Sequence, residues 1–141
     1  MFVLGANAAG LLNKLESFYR NISTFNPGVI FIQESKARRK GKIKLNNYTI
    51  FEKIRKQNNG GGLLTAVHSS LKPVSISDDD EEILVVEANI NNSMVRLING
   101  YGPQENLPEN SRKLFFDQLD LEVKKAKIAG TLVCIEMDSN A

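Results

Sequence analysis

The sequence predicts an α/β fold, a mixed sheet with flanking helices, and three features carry that reading. Short apolar runs rich in β-branched residues recur along the chain, at residues 29–32, 63–67 and 131–137. Two segments with apolar side chains at helical spacing interrupt them. Clusters of Gly, Pro and Asn mark the boundaries between the two kinds of segment.

The elements follow in order. Residues 2–6 are a short apolar strand that stops at Asn7. Leu11, Leu15, Phe18, Tyr19 and Ile22 then recur with helical period, predicting an amphipathic helix over 11–24 that Asn26, Pro27 and Gly28 break. Val29, Ile30, Phe31 and Ile32 read as a strand buried on both faces, and it runs directly into Gln33 and Glu34. Lys36, Arg38, Arg39, Lys40, Lys42 and Lys44 make the next stretch a basic loop. Residues 48–51 and 63–67 read as strands on either side of a flexible Asn58–Gly62 connection, the second ending near His68. An acidic run over 78–82 precedes two strands, 83–90 and 94–99, joined by Asn91, Asn92 and Ser93 as a tight hairpin. A second helix is predicted over 111–127, with Asn110 or Ser111 as its cap. Phe116, Leu119, Val123 and Ala126 would form its buried face, with Lys124, Lys125 and Lys127 where the helix dipole favours cations. Gly130 ends it, and a last buried strand over 131–137 leads into Asp138, Ser139, Asn140 and Ala141.

Composition narrows the class. With 141 residues, 42% hydrophobic and 24% charged, the chain has the makeup of a soluble globular domain rather than a disordered segment. No apolar run approaches the roughly 20 residues that span a bilayer, and the N-terminus lacks the basic and apolar regions of a signal peptide. The single cysteine, Cys134, lies in an apolar run and reads as a core residue; lacking an internal partner, it favours a reducing, intracellular compartment, nuclear or cytoplasmic. A net charge of +2 means that polyanion binding must come from local charge, such as the basic loop. That loop reads either as a solvated surface or as a phosphate-backbone contact. His68 reads as structural or exposed, and the 78–82 run as a solvated turn.

Polar residues cluster where strands end: Asn7 after the first, Gln33 and Glu34 after the second, Asp138 and Asn140 after the last. A carboxylate ending an apolar strand is costly to bury unless paired or bound to a cation. Two carboxylates and two carboxamides supply the oxygen ligands that Mg²⁺ prefers. Each residue singly also fits a surface turn.

The order of motifs is more specific. Asn7-x-x-Gly10-Leu11, Gln33-Glu34-Ser35-Lys36, Asn58-Asn59-Gly60-Gly61-Gly62, Asn99-Gly100-Tyr101-Gly102-Pro103-Gln104 and Asp138-Ser139-Asn140 occur in succession over the whole chain. This series resembles the endonuclease/exonuclease/phosphatase superfamily, and within it the endonuclease domains of non-LTR retrotransposons. The resemblance implies a Mg²⁺ (or Mn²⁺) dependent phosphodiesterase acting on nucleic acid, DNA before RNA. Glu34 would be the principal metal ligand, with Asn7 beside it. Tyr101 would hydrogen-bond a phosphate oxygen, Asp138 would act as general base, and Asn140 would stabilise the transferring phosphorus. Lys36, Arg38, Arg39 and Gln104 would contact the nucleic acid.

The chain also departs from that pattern. Ala9 stands where many members carry Asp or Asn, and Met137 and Ser139 replace the Gly and the apolar residue around the base. Residues 1–141 correspond to the N-terminal portion of one such domain, without the C-terminal half that carries the family's catalytic His and further Asp residues. The fold implied is half of a four-layer α/β sandwich. A single sheet of that kind would expose one face, predicting a homodimer or a covering C-terminal half. Weak or absent activity by the chain alone is expected. The alternative is a non-catalytic nucleic-acid or protein interaction module that keeps the fold.

Overall fold

Alternation along each strand sorts this chain into layers. The computed structural model describes residues 3–56, 60–76 and 80–138. The first sheet contains β1 (Val3–Asn7), β2 (Val29–Gln33), β3 (Tyr48–Lys53) and β4 (Leu63–His68), in the order β1-β2-β4-β3. The second contains β5 (Val74–Ile76), β6 (Ile83–Ile90), β7 (Ser93–Tyr101) and β8 (Leu132–Asp138), in the order β5-β6-β7-β8. Each sheet is mixed. β1 runs parallel to β2 and β7 parallel to β8, while the remaining neighbours are antiparallel. The two parallel pairs are those joined through a helix, as parallel strands require a long crossover.

Those helices are α1 (Leu15–Phe25), preceded by a 3₁₀ turn over Leu11–Lys14, and α2 (Glu109–Ile128). Leu11 and Phe18 pack on Ile30, Ile32, Leu64 and Ala66, one face of the first sheet. Phe115, with Leu119 and Val123, packs on Ile83, Val85 and Ile98, one face of the second. The opposite faces meet each other. Val29, Phe31 and Val67 of the first sheet form one cluster with Val86, Ala88, Val95 and Leu97 of the second. At about 1.5–3 kcal/mol for each buried large apolar side chain, this inner layer is a major source of stability.

The result is helix, sheet, sheet, helix. It corrects the expectation of one sheet with an open face: the chain supplies both sheets, and the face expected to need a partner is covered from within. β5 is an additional short strand that extends the second sheet beyond the elements read from sequence.

Other differences are local. The 3₁₀ turn occupies the start of the expected first helix, and Tyr19 is exposed rather than packed. α2 begins two residues early, at Glu109, with Pro108 in the capping position and no side-chain cap. Its buried face carries Phe115, while Phe116 is 47% exposed. Glu122, 1% exposed, also lies on that face because Arg96 of β7 meets it at 2.9 Å. The hairpin between β6 and β7 is tighter than the expected three-residue linker: Ser93 joins β7 and leaves a two-residue turn. Ile90 pairs with Ser93, and Asn91 and Asn92 have φ of 51° and 63°, the combination that suits right-twisted strands. His68 takes a structural part, its Nδ1 bonded to the Ser70 hydroxyl at 2.7 Å where the 3₁₀ turn Ser69–Leu71 begins. No helix among the described residues is long and apolar enough to cross a membrane.

β1 and β8 are edge strands on the same side of the sandwich. Gly5 of β1 lies under Glu136 of β8, so close that a Cβ at Gly5 would come within 2.7 Å of the Glu136 carboxyl group. That contact brings the ends of the two strands together.

Candidate functional site

Four strands from two sheets end at one place. Asn7, the last residue of β1, pairs in register with Gln33, the last of β2, and Glu34 follows at once. Tyr101, the last residue of β7, pairs with Asp138, the last of β8. Two side-chain hydrogen bonds then join the sheets. The Tyr101 hydroxyl donates to Glu34 Oε1, and Asn7 Nδ2 donates to Asp138 Oδ2 at 2.5 Å. Asn7 Oδ1 meanwhile accepts the Ala9 N–H at 3.0 Å, which orients the carboxamide with its amide group toward Asp138.

Backbone bonds hold the surrounding loops. Ala8 and Gly10 donate to the carbonyls of Gln33 and Glu34, each at 2.8 Å, and Ser35 and Lys36 donate to those of Gly62 and Gly61. The β1–β2–β4 ladder thus continues past the formal strand ends into the site. The chain adopts the left-handed region repeatedly there, at Ala9 (φ 45°), Glu34 (φ 51°) and Lys36 (φ 52°). Non-glycine residues in that region carry strain that surrounding contacts must hold, and such strain gathers at functional sites. Gly62 explains one glycine of the Gly60–Gly62 run: its φ is +88°, and a Cβ would lie 2.6 Å from the Ser35 hydroxyl.

Beneath the site lies a buried amide network. Asn99 Nδ2 donates to the carbonyls of Ile32 (3.1 Å) and Leu64 (2.9 Å) and to the Thr65 hydroxyl (3.2 Å). Its Oδ1 accepts from Gln33 Nε2 at 2.8 Å. Asn99 sits two residues before Tyr101, and Gln33 one residue before Glu34, so the network ties together the backbones that present the paired side chains.

Arg55 belongs to this region although nothing in the sequence set it apart from the neighbouring Lys53 and Lys56. Its guanidinium forms a two-pronged pair with Glu82, at 2.6 and 3.1 Å, and lies 5.4 Å from the centre of the Tyr101 ring. The hydrogen bond to Glu82 holds Arg55 more firmly protonated than usual, against the opposing effect of burial. The described part of the acidic run is therefore more than a solvated turn. Glu82 pairs with Arg55, and the Asp80 and Ile83 carbonyls accept from Lys53 Nζ at 2.5 and 2.6 Å.

The expected nucleic-acid residues divide. Lys36, Arg38 and Lys42 line a groove of about 390 Å³ with Gly10 and Asn13. Arg39 is exposed but does not line it. Gln104 lies instead at a second cavity, beside Tyr101. Asn140 falls outside the described residues.

The donor chemistry fits Mg²⁺. That ion uses one or two carboxylates and completes its shell with water and phosphate oxygens rather than an all-protein cage. Glu34 and Asp138 provide carboxylates on the two sides of the cluster. Among the described residues no group of three or more His, Cys, Asp and Glu side chains gathers as a larger ligand set.

Comparison with protein-family models and with curated sequences returns no match. Solved structures do match. The Xenopus laevis APE2 catalytic domain superposes with a TM-score of 0.82 at 16% identity, covering 100% of this chain and 59% of that one. The endonuclease domain of TRAS1, a telomere-specific non-LTR retrotransposon, gives 0.64 at 17% identity over 99% of this chain and 58% of its own. D. rerio TDP2 complexed with single strand DNA product gives 0.62 at 16% identity over 99% and 60%. The chain carries the endonuclease/exonuclease/phosphatase fold and spans about three-fifths of the length of these structures.

Proposed function

We propose that this chain is part of a Mg²⁺-dependent phosphodiesterase that cleaves nucleic acid, DNA in the first instance. The observation that carries the reading is the pairing of Tyr101 with Glu34 and of Asn7 with Asp138 across the two sheets. That arrangement gathers two carboxylates, a phenol and a carboxamide at a nuclease fold's strand ends.

Phosphodiester cleavage needs positive charge on the phosphate, donors to its oxygens and a base for water. Glu34, with Asn7 nearby, would hold Mg²⁺ (or Mn²⁺), which when bound neutralises charge developing on the phosphate. Tyr101 turns its hydroxyl from Glu34 to a phosphate oxygen. Asp138 accepts the proton of the attacking water, and the Asn7 bond orients its carboxylate for this. Asn140 would donate to the transferring phosphate. Lys36, Arg38 and Arg39, joined by Lys42, neutralise flanking phosphates, a contribution that weakens with salt. Gln104 contacts the strand on the other side of Tyr101. D. rerio TDP2, one structural neighbour, is seen with single strand DNA product.

Turnover by residues 1–141 alone is expected to be slow, because the acid/base histidine and aspartates that the resemblance implies have no counterparts here, and such groups contribute about 10²–10⁴-fold each. A second copy or a further segment added at the β1–β8 edge, where Val3, Leu132 and Ile135 are exposed, would complete the site. The residues point to an intracellular protein.

The test is nicking of supercoiled plasmid by the purified chain with Mg²⁺, with EDTA, and with Glu34→Ala. Mg²⁺-dependent nicking that Glu34→Ala abolishes supports the reading. Absence of nicking, together with a melting temperature indifferent to Mg²⁺, overturns it.

A further inference from the structure

A cavity of about 480 Å³ opens beside Tyr101 and shares no lining residue with the basic groove. Its volume lies in the range of small-molecule sites. Leu107, Leu114 and Phe115 supply an apolar wall, and Asp80, Glu82 and Gln104 a polar one. Leu107 and Leu114 are 43% and 69% exposed, so their side chains are accessible to a ligand in the cleft.

The chemistry of the walls selects a ligand. Two carboxylates with one guanidinium, Arg55, which is already paired to Glu82, disfavour a phosphate there. A flat apolar group with N–H donors at its edge fits instead, its face against the leucines and its donors toward carboxylate and carboxamide oxygens. A nucleobase has that form. Tyr101 links the two places: it lines the cavity, and its hydroxyl bonds Glu34.

We propose that this cavity receives an unstacked nucleobase of the bound strand, adjacent to the phosphodiester at Glu34 and Tyr101; the proposal rests on the phosphodiesterase reading above. A base in an intact duplex is stacked and its pairing edge occupied, so entry requires a single strand or a frayed end. The site therefore favours single-stranded over duplex substrate.

The experiment uses the full chain in EDTA, which prevents turnover. A short single-stranded DNA containing 2-aminopurine and an end label is titrated, beside an equal-length strand of abasic sugar-phosphate. Binding is read by anisotropy and base environment by 2-aminopurine emission. The expected result is tighter binding of the base-bearing strand, with a change in emission. The double variant L107A/L114A should weaken that strand about tenfold and leave the abasic strand unchanged. Both leucines are exposed, so the variant should fold, as an unchanged melting temperature verifies. Equal binding of the two strands by the native chain, or equal weakening of both in the variant, overturns the base site. If Glu34-dependent nicking persists in that case, only the base site falls. If neither strand binds, the base site falls, and if nicking is absent and melting is indifferent to Mg²⁺ as well, both readings fall together.

Discussion

Gln33 and Asn99 are bonded side chain to side chain across the two sheets, at 2.8 Å, with both residues buried. The bond lies directly behind Glu34 and Tyr101 and fixes the relative height of the strands that present them. An isolated carboxamide pair in an apolar interior would be costly. Here Asn99 has four partners and Gln33 one, so the desolvation is offset by satisfied donors and acceptors.

Asn99→Ala removes all four bonds and strands the Gln33 amide in the interior, while the Ile32 and Leu64 carbonyls lose their second donor and keep the β2–β4 ladder. The expected loss is about 2–4 kcal/mol. Urea unfolding should show a lower midpoint with an unchanged slope. A loss below about 1 kcal/mol would mean that water replaces the side chain and that the network is not structural.

Tyr101→Phe separates the chemistry from the packing. The ring, 5% exposed and under Arg55, is retained, while the donor to Glu34 is lost. Stability should fall by about 1 kcal/mol at most. Mg²⁺-dependent nicking should fall by about 10²–10³-fold, the usual effect of deleting one donor to a transition-state oxygen. Nicking equal to that of the native chain would remove Tyr101 from the mechanism.

Two glycines with similar backbone angles should respond unequally to alanine. Gly41 (φ +84°) faces open space, so Gly41→Ala carries only the left-handed strain, about 1–2 kcal/mol. Gly62 (φ +88°) would also drive a Cβ to 2.6 Å from Ser35 Oγ, beside Glu34. Gly62→Ala should therefore destabilise more in thermal unfolding and also weaken the effect of Mg²⁺ on melting. Equal losses would show that the Ser35 side chain simply turns away.

Cys134 gives a pH dependence with a definite sign. Burial, then the charge of Glu136, pushes its thiol up from the ordinary range. A raised folded-state value means that the stabilising contribution is complete below the ordinary thiol range and is lost as pH rises through the folded value. Stability should decline in that alkaline window, and Cys134→Ala should remove this component of the decline. Disulfide-exchange labelling of the native chain at neutral pH should be slow, because the thiolate is scarce, and should accelerate in denaturant. Rapid native labelling would contradict the half-buried setting.

Much of this protein was legible in one dimension. Period-two and period-3.6 patterns depend only on which side chains neighbour each other along the chain, so β2, β4, the β6–β7 hairpin and both helices stand in the sequence nearly where they stand in space. Asn7, Glu34 and Asp138 stood out as candidates for a related reason: polar residues at the ends of apolar strands have few places to go, whereas Tyr101 was picked out only by the resemblance. The tertiary structure alone decided how the strands divide into two sheets, because an apolar strand face does not say which other face will cover it. It also decided that Glu34 pairs with Tyr101 and Asn7 with Asp138, bonds spanning 67 and 131 residues of chain. Arg55, Phe115 in place of Phe116, and the split of Gln104 from Lys36 and Arg38 are of the same kind. Each depends on which surfaces meet after the sheets close on one another, and no local periodicity carries that information.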